Sequence, residues 1–261
     1  MTKKTAENKT IIITGASGLL GTSFVKKMLS RNYNVVALDK NIKSLISLDK
    51  IYENRKFSSF GIDLLDEKKL KKLKYKILKK YESIDYLVNC AALDAKVNKK
   101  KIKLDTFENF NISRWQKEID ANLKITFLTC KVFGSFMAKK KYGGIINLGS
   151  DLTILAPNQE IYNNKYIKPI TYSVSKFGIL GITKYLASYW GKKNVRVNCL
   201  SPGPINHEQP KFLKENIKKI TPTRKILNKT DLDDLLVFLC SDKSSYITGQ
   251  NFLVDGGRTI V

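Results

Sequence analysis

The feature that most constrains the fold is a short apolar run followed at once by spaced glycines. Residues Thr10 to Thr14 are β-branched and predict a buried strand. After this run come glycines 15, 18 and 21, and apolar residues then recur at helical spacing at Leu19, Leu20, Phe24, Val25, Met28 and Leu29. Glycines at this point let the backbone turn tightly and approach a pyrophosphate at the helix N-terminus. The pattern therefore predicts a strand, a glycine turn and a helix suited to a dinucleotide.

Strand patterns alternate with helical patterns along the rest of the chain. Further strands are predicted at Asn34–Asp39, Lys56–Asp63, Asp85–Asn89, Gly143–Asn147, Val195–Asn198 and Asn251–Asp255, with helices near 112–140 and 172–190. Most strands are continuous apolar runs, as in a parallel sheet covered on both faces. We therefore predict an α/β fold with a doubly wound, Rossmann-like parallel sheet and a single domain over residues 1–261. Irregular stretches are expected at about 93–110, 151–171 and 203–222.

Composition argues against several other classes of protein. No apolar run approaches the roughly 20 residues that span a bilayer, and Ile11–Ile13 is too short for a signal peptide, so we expect a cytoplasmic protein with no membrane contact. The four cysteines contain no Cys-x-x-Cys pair, and His207 is the one histidine. We therefore predict neither structural disulfides nor a metal site.

The large positive charge does not by itself predict a nucleic-acid partner. The formal net charge is +24, but only six of the 47 basic residues are arginines. Arginine is the residue that reads bases and clamps phosphates bidentately. The lysine runs Lys68–Lys80 and Lys99–Lys101 are interpreted as solvated faces of a lysine-rich chain. No nucleic-acid partner is expected.

An aspartate at the end of the second predicted strand bears on cofactor choice. A carboxylate at this place accepts hydrogen bonds from the ribose hydroxyls of NAD and repels the 2′-phosphate of NADP. Asp39 occupies the position, and the neighbouring Lys40 would partly offset that repulsion. A plain turn residue remains an alternative reading of Asp39. The sequence favours NAD over NADP.

Tyr172 and Lys176 are a candidate acid–base pair. Four residues apart on a helix, they share one face. The spacing alone is weak, because other tyrosine–lysine pairs in this lysine-rich chain repeat it: Tyr52/Lys56, Tyr75/Lys79 and Tyr189/Lys193. The pair at 172 and 176 differs in being the next member of an ordered series made of the glycine turn, Asn89, Asn122, Ser150, Tyr172/Lys176 and Pro202-Gly203.

This series resembles the short-chain dehydrogenase/reductase family over nearly the whole chain. The matching segments are Asn89-Cys-Ala-Ala92, Asn122, Ser150, Tyr172-x-x-x-Lys176, Arg196 to Gly203, Tyr246 to Gly249 and Val254 to Gly257. The resemblance implies an enzyme that moves a hydride between a nicotinamide and an alcohol or ketone, and a homotetramer or homodimer. It implies catalytic roles for Asn122, Ser150, Tyr172 and Lys176. Cofactor contacts are implied at Gly15, Ser17, Gly18, Leu19, Leu20, Gly21, Asp39, Asp63, Leu64, Asn89, Ala91, Tyr172, Lys176, Pro202, Gly203 and Ile205.

The implied roles follow ordinary acid–base chemistry. A tyrosine has an unperturbed pKa of about 10, so it needs a nearby cation to act as a base near neutral pH. Lys176 and a positive nicotinamide ring would supply that charge. Ser150 would hold the substrate oxygen, and Asn122 would hold a water that relays the proton.

Departures from the family pattern bear on the substrate. The interval from Ser150 to Tyr172 is long, so Asn158–Ile170 is interpreted as an insertion that shapes the substrate pocket. His207 replaces a family threonine. Leu19 stands where the family's commonest pattern has a glycine, with Gly18 one place earlier, and this spacing resembles that of the branch acting on nucleotide sugars; by this resemblance we expect the bacterial branch associated with surface-glycan sugar modification. Lysines in the expected lid, 203–222, suggest a small anionic substrate: Lys211, Lys214, Lys218 and Lys219. A sugar or nucleotide-sugar is expected; the alternatives are a 3-oxoacyl-carrier-protein reductase-like enzyme or a non-catalytic dinucleotide-binding protein.

Overall fold

A computed structural model describes residues 9–53, 56–93 and 106–261. Within these residues, seven parallel strands form one sheet in the order β3-β2-β1-β4-β5-β6-β7. The strands are β1 Thr10–Thr14, β2 Asn34–Asp39, β3 Phe57–Gly61, β4 Tyr86–Asn89, β5 Gly143–Leu148, β6 Val195–Pro202 and β7 Asn251–Val254. The predicted parallel sheet is confirmed.

Helices cover both faces of the sheet. They are α1 Leu19–Ser30, α2 Ile42–Ile51, α3 Glu67–Tyr81, α4 Ile112–Ile119, α5 Ile125–Thr129, α6 Ser135–Lys140, α7 Ile170–Trp190, α8 Lys211–Lys219 and α9 Asp233–Leu239. Phe24 of α1 and Leu236 of α9 pack in the core on one face. Leu70 of α3 and Trp190 of α7 pack in the core on the other face. The doubly wound, single-domain α/β arrangement is therefore confirmed.

The helix predicted near 112–140 is interrupted twice. Between α4 and α5 the chain forms a π turn, Asp120–Lys124, and between α5 and α6 a second one, Cys130–Gly134. A π turn accommodates one extra residue within a continuous helix, and such turns are frequent at functional sites. The first of them holds Asn122, which is buried.

Other boundaries differ from the predictions in ways that local sequence explains. The strand β6 continues to Pro202 rather than ending at Asn198, because its last four residues pair with β7. The helix α7 begins at Ile170, after Pro169, and so takes up the end of the predicted insertion. The lysines of the run 68–80 lie mostly on the exposed face of α3. The run Lys99–Lys101 and most of the irregular stretch 93–110 lie outside the described residues.

The strand order reverses direction next to β1. From β1 the chain adds β2 on one side and, later, β4 on the other. In open α/β sheets, ligands bind beyond the carboxyl ends of the strands at this kind of switch point. Thr14, Asn89, Leu148 and Pro202 are strand residues at this edge. Separately, none of the helices in the described ranges is both long and apolar enough to cross a membrane.

Candidate active site

The glycine turn after β1 has the backbone geometry of a phosphate cradle. Gly15 adopts a φ of +62°, and a Cβ placed there would lie 2.7 Å from the Cα of Ala91. A Cβ on Gly21 would lie 2.1 Å from the carbonyl oxygen of Gly15. Gly18 is the N-cap residue of α1, so no side chain caps the N–H groups at the start of this helix. The first turn of α1 also carries no acidic residue. Backbone N–H groups at such a terminus favour an anion, so this turn fits a dinucleotide pyrophosphate.

A threonine not singled out from the sequence ties this turn to the neighbouring strand. Thr14 Oγ1 accepts hydrogen bonds from the backbone N–H groups of Cys90 at 3.1 Å and Ala91 at 3.2 Å. The loop after β4 is thereby held against the glycine turn. The signal available in the sequence was a hydroxyl residue at the last position of β1.

Asp39 lies beside the glycine turn. Its Oδ2 accepts hydrogen bonds from the N–H and the hydroxyl of Ser17, at 3.1 and 2.7 Å. Its Oδ1 accepts one from the N–H of Asn41 at 3.0 Å, which is the behaviour of a turn residue. Further along the same edge, Asp63 Oδ1 accepts from the N–H of Leu65 at 3.0 Å, and Leu64 is buried.

A buried chain of polar side chains crosses the sheet below this edge. Thr129 Oγ1 donates to Asn89 Oδ1 at 2.7 Å, and Asn89 Nδ2 donates to Asn147 Oδ1 at 2.9 Å. Asn147 Nδ2 then donates to Thr183 Oγ1 at 3.0 Å. The Asn89 side chain is thus engaged inside the protein. This series of hydrogen bonds links α5, β4, β5 and α7. Buried polar groups that are satisfied in this way hold their secondary-structure elements in one relative position.

Asn122 connects the π turn to the loop after β4. The N–H of Leu93 donates to its Oδ1 at 2.6 Å, and the side chain is buried. This contact ties the side-chain amide of Asn122 to the loop after β4, the strand next to β1.

Ser150 begins a 3₁₀ turn, Asp151–Thr153, directly after β5. Its Oγ donates to Asp151 Oδ1 at 2.7 Å and accepts from the N–H of Leu152 at 3.2 Å. The buried carboxylate of Asp151 also pairs with Arg258. Sequence reasoning missed both partners, because nothing in their spacing joins residues so far apart in the chain.

Tyr172 and Lys176 lie in the first turns of α7. Lys176 Nζ is buried, donates to the carbonyl oxygen of Leu148 at 2.9 Å, and lies 5.6 Å from the Tyr172 ring centroid. The helix packs against the 3₁₀ turn that Ser150 begins. Thr171 donates to Glu118 of α4, which fixes the start of α7. The structure therefore brings Ser150, Tyr172 and Lys176 to one end of β5.

The predicted lid and the predicted insertion form one small unit. Leu213 and Ile217 of α8 pack against Ile161 and Tyr162. Asn216 Nδ2 donates to the carbonyl oxygen of Ile161 at 2.9 Å. The stretch predicted as an insertion therefore packs against helix α8 of the stretch predicted as a lid.

The segment between β6 and this unit begins at the sheet edge. The N–H of Gly203 donates to the carbonyl oxygen of Val254 at 2.9 Å, and Ile205 pairs with Leu227 in a short bridge. Pro202 and Gly203 are buried, whereas His207 is exposed. Pro202, Gly203 and Ile205 thus lie where the chain leaves the carboxyl edge.

A seven-stranded parallel sheet with a glycine turn at its switch point is the arrangement of a Rossmann-like dinucleotide-binding fold. A family model described as enoyl-(acyl carrier protein) reductase matches residues 15–259. The chain belongs to the short-chain dehydrogenase/reductase family and is an oxidoreductase of that family. The resemblance predicted from the motifs is confirmed.

Individual relatives align along almost their whole length. The chain is 31% identical to post-translational flagellin modification protein A of Campylobacter coli, over 96% of this chain and 98% of that protein. It is also 31% identical to a 3-oxoacyl-(acyl-carrier-protein) reductase of Buchnera aphidicola, covering 96% and 97%. A short-chain dehydrogenase from Leptospira borgpetersenii with bound NAD+ superposes with a TM-score of 0.85 at 30% identity, covering 99% and 97%.

Proposed function

We propose that the protein is an NAD-dependent oxidoreductase that interconverts an alcohol and a ketone, with Tyr172 as the proton donor and acceptor. The observation that carries this proposal is the position of Lys176, whose buried ammonium is tied to the end of β5 and lies 5.6 Å from the tyrosine ring. A fixed cation at this distance favours the phenolate over the phenol. Tyrosine then works as a general base at a pH closer to neutrality.

The surrounding residues have distinct tasks in this proposal. Bound NAD would supply the redox chemistry, as the acceptor of a hydride from the alcohol carbon or, when reduced, as its donor to the ketone. The Ser150 hydroxyl would turn from Asp151 to the substrate oxygen when substrate binds, and Tyr172 would take the hydroxyl proton of the alcohol. Asn122 holds a water that passes this proton on toward solvent. Lys176 holds the tyrosine and the ribose of the cofactor in register.

NAD is proposed over NADP because of Asp39. Its carboxylate lies against Ser17 of the glycine turn, where a 2′-phosphate would meet a negative charge. The remaining contacts of the cofactor are assigned to the glycine turn, the loops after β3 and β4, and Pro202, Gly203 and Ile205.

For the substrate we propose a sugar or nucleotide-sugar used in surface-glycan synthesis. The likeness to a post-translational flagellin modification protein supports it. A 3-oxoacyl-carrier-protein substrate is the second candidate. It is supported by a reductase of that class whose sequence identity to this chain, 31%, equals that of the flagellin modification protein. An acidic carrier would suit the basic surface. A cytoplasmic location remains a prediction.

A homodimer or homotetramer is also proposed. Helices α5 and α7 expose an apolar stripe that includes Phe127 at 52%, Tyr185 at 66% and Tyr189 at 60%. Large exposed apolar patches are typical of protein interfaces. Sedimentation of the purified protein should give at least a dimer, and a monomer at micromolar concentration would contradict this assembly.

The experiment for the catalytic proposal compares Tyr172→Phe with Tyr189→Phe. Both changes remove one hydroxyl from α7, and Tyr189 also has a lysine four residues later. NADH oxidation is measured against a panel of keto-sugars and ketoacyl thioesters. Tyr172→Phe should lower turnover about 10²- to 10⁴-fold with NADH binding retained, while Tyr189→Phe keeps its activity. Near-full turnover in Tyr172→Phe would contradict the mechanism.

A further inference from the structure

A second lysine lies closer to the Tyr172 ring than Lys176 does. Lys168 Nζ is 3.7 Å from the ring centroid, against 5.6 Å for Lys176. Cations within about 6 Å of an aromatic face are attracted by its negative electrostatic potential. The ring of the proposed proton-transfer residue is therefore contacted by two ammonium groups, one from α7 and one from the segment that precedes it.

The backbone of Lys168 is clamped in place. Gln159 Nε2 donates to the carbonyl oxygen of Lys168 at 3.2 Å, and the N–H of Lys168 donates to Gln159 Oε1 at 2.9 Å. The next residue, Pro169, is buried and precedes the first residue of α7. One side-chain amide thus satisfies both backbone groups of the lysine. The backbone of Lys168 cannot move away from Gln159 without breaking two hydrogen bonds.

Several acidic groups lie on the elements packed against this site. Asp151, in the 3₁₀ turn, pairs with Arg258, and Glu118 of α4 pairs with Arg114 and accepts from Thr171. Asp120 of the π turn pairs with Lys124, and Glu160 lies beside Gln159 in the inserted segment. Lys168 and Lys176 bring two ammonium groups to the Tyr172 ring.

We propose that Lys168 is a positioning residue for Tyr172, which holds the ring by its face and stabilises the phenolate form. This inference rests on the proposed role of Tyr172 in proton transfer. An ammonium group over a neutral phenol gains a modest cation–π attraction, and it gains a full ion–ion attraction once the phenol has lost its proton. The lysine therefore favours the deprotonated state without touching the substrate. In this respect the inserted segment is part of the catalytic apparatus and more than a pocket wall.

A neighbouring lysine provides a matched control. Lys165 belongs to the same segment, and its Nζ lies 5.1 Å from the ring centroid of Phe212, which has no proton to lose. Lys165→Met and Lys168→Met remove the same charge from the same loop. Only the second change should alter the ionisation of Tyr172. Lys168→Arg keeps the charge and should restore most of the wild-type behaviour.

The test measures tyrosinate absorbance as a function of pH and needs no substrate. The chain has 12 tyrosines, so each variant is titrated with and without Tyr172→Phe, and the difference reports Tyr172 alone. Lys168→Met should move the midpoint of this difference upward by about one pH unit. Lys165→Met should leave the midpoint unchanged. An unchanged midpoint in Lys168→Met, in a protein that melts like the wild type, would overturn the proposal.

A second variant covers the case in which Lys168→Met does not fold. Gln159→Leu removes the clamp and leaves the lysine charge in place, so its midpoint should move in the same direction by a smaller amount. No movement in Gln159→Leu would then count against the proposal. The catalytic proposal fails separately: it fails if Tyr172→Phe keeps its turnover, whatever the titration gives.

Discussion

Arg258 and Asp151 form a buried ion pair that joins the end of the described chain to the residue after Ser150. The two residues are 7% and 2% exposed. The same carboxylate accepts from the Ser150 hydroxyl at 2.7 Å and from the N–H of Leu152 at 2.9 Å. Because the carboxylate is held by Arg258, the hydroxyl of Ser150 is held in turn. The position of Ser150 thus depends on Arg258, which lies 107 positions after Asp151.

Breaking this pair should destabilise the protein strongly. Asp151→Asn leaves the guanidinium of Arg258 buried without its counter-charge, which typically costs about 3–5 kcal/mol of unfolding free energy. Urea unfolding measures the change. The control is Asp234→Asn, which breaks an exposed pair with Lys27 and should have little effect. Equal losses in the two variants would mean that the buried pair contributes no more than an exposed one.

Cofactor preference should depend on Asp39. We expect wild-type protein to bind NADH at least tenfold more tightly than NADPH, which corresponds to about 1.4 kcal/mol. Asp39→Asn should reduce this ratio because the repulsion of the 2′-phosphate is lost. Fluorescence titration with both cofactors gives the ratio. Asp49→Asn, which alters a carboxylate bonded to Ser59, is the control. Equal or reversed affinities in the wild type would refute the NAD assignment.

The lysines of the lid should matter if the substrate is an anion. Lys211 and Lys214 lie in the first turns of α8, and Lys214 Nζ donates to Asn206 Oδ1 at 2.9 Å. Replacing both with Gln should raise KM more than it lowers kcat, with an effect that shrinks as salt is added. The control replaces Lys139 and Lys140, which precede β5 at the opposite edge. A double variant that behaves like wild type at low ionic strength would show that the lid lysines are only solvated.

Two buried thiols should be unreactive and should make the protein sensitive to alkali. Burial raises the pKa of Cys130 and of Cys240 from 9.0 to about 12. The folded protein therefore keeps these thiols protonated at a pH where the same thiols ionise in the unfolded chain, near pH 9. Their contribution to the unfolding free energy is complete below pH 9 and is lost between pH 9 and 12. Unfolding free energy should fall above pH 9, by less in Cys240→Ala. Rapid labelling of Cys130 or Cys240 in the native protein by a thiol reagent at neutral pH would contradict this.

The parts of the fold that could be predicted are those encoded in contiguous residues. The strand β1 and its glycine turn could be predicted because the β-branched run and the glycines are adjacent in sequence. The pair Tyr172 and Lys176 could be predicted because their spacing of four places both residues on one face of a helix. The end of β6 could not be predicted in this way. Its last residues, Ser201 and Pro202, are of types typical of loops, but they pair with β7.

The contacts that fix the site were harder to predict for a physical reason. Asp151 meets Arg258, and Thr14 meets Cys90 and Ala91, only after distant strands have come together. Lys168 was seen as part of an insertion, but its place over Tyr172 depends on a side-chain clamp by Gln159. Side-chain pairings of this kind leave no periodic signal in the sequence. The residues assigned to catalysis and to cofactor binding remain predictions as to their roles.

The π turn that carries Asn122 limits which insertions and deletions this protein tolerates. Because a π turn takes up one residue more than an α-helical turn, removing one residue from Asp120–Lys124 would leave an ordinary α-helical turn with its flanks close to their present orientation. The loss would fall on the turn itself, where the side chain of Asn122 would no longer meet the N–H of Leu93. The length of this turn is therefore tied to the position of Asn122, whereas surface loops tolerate insertions and deletions.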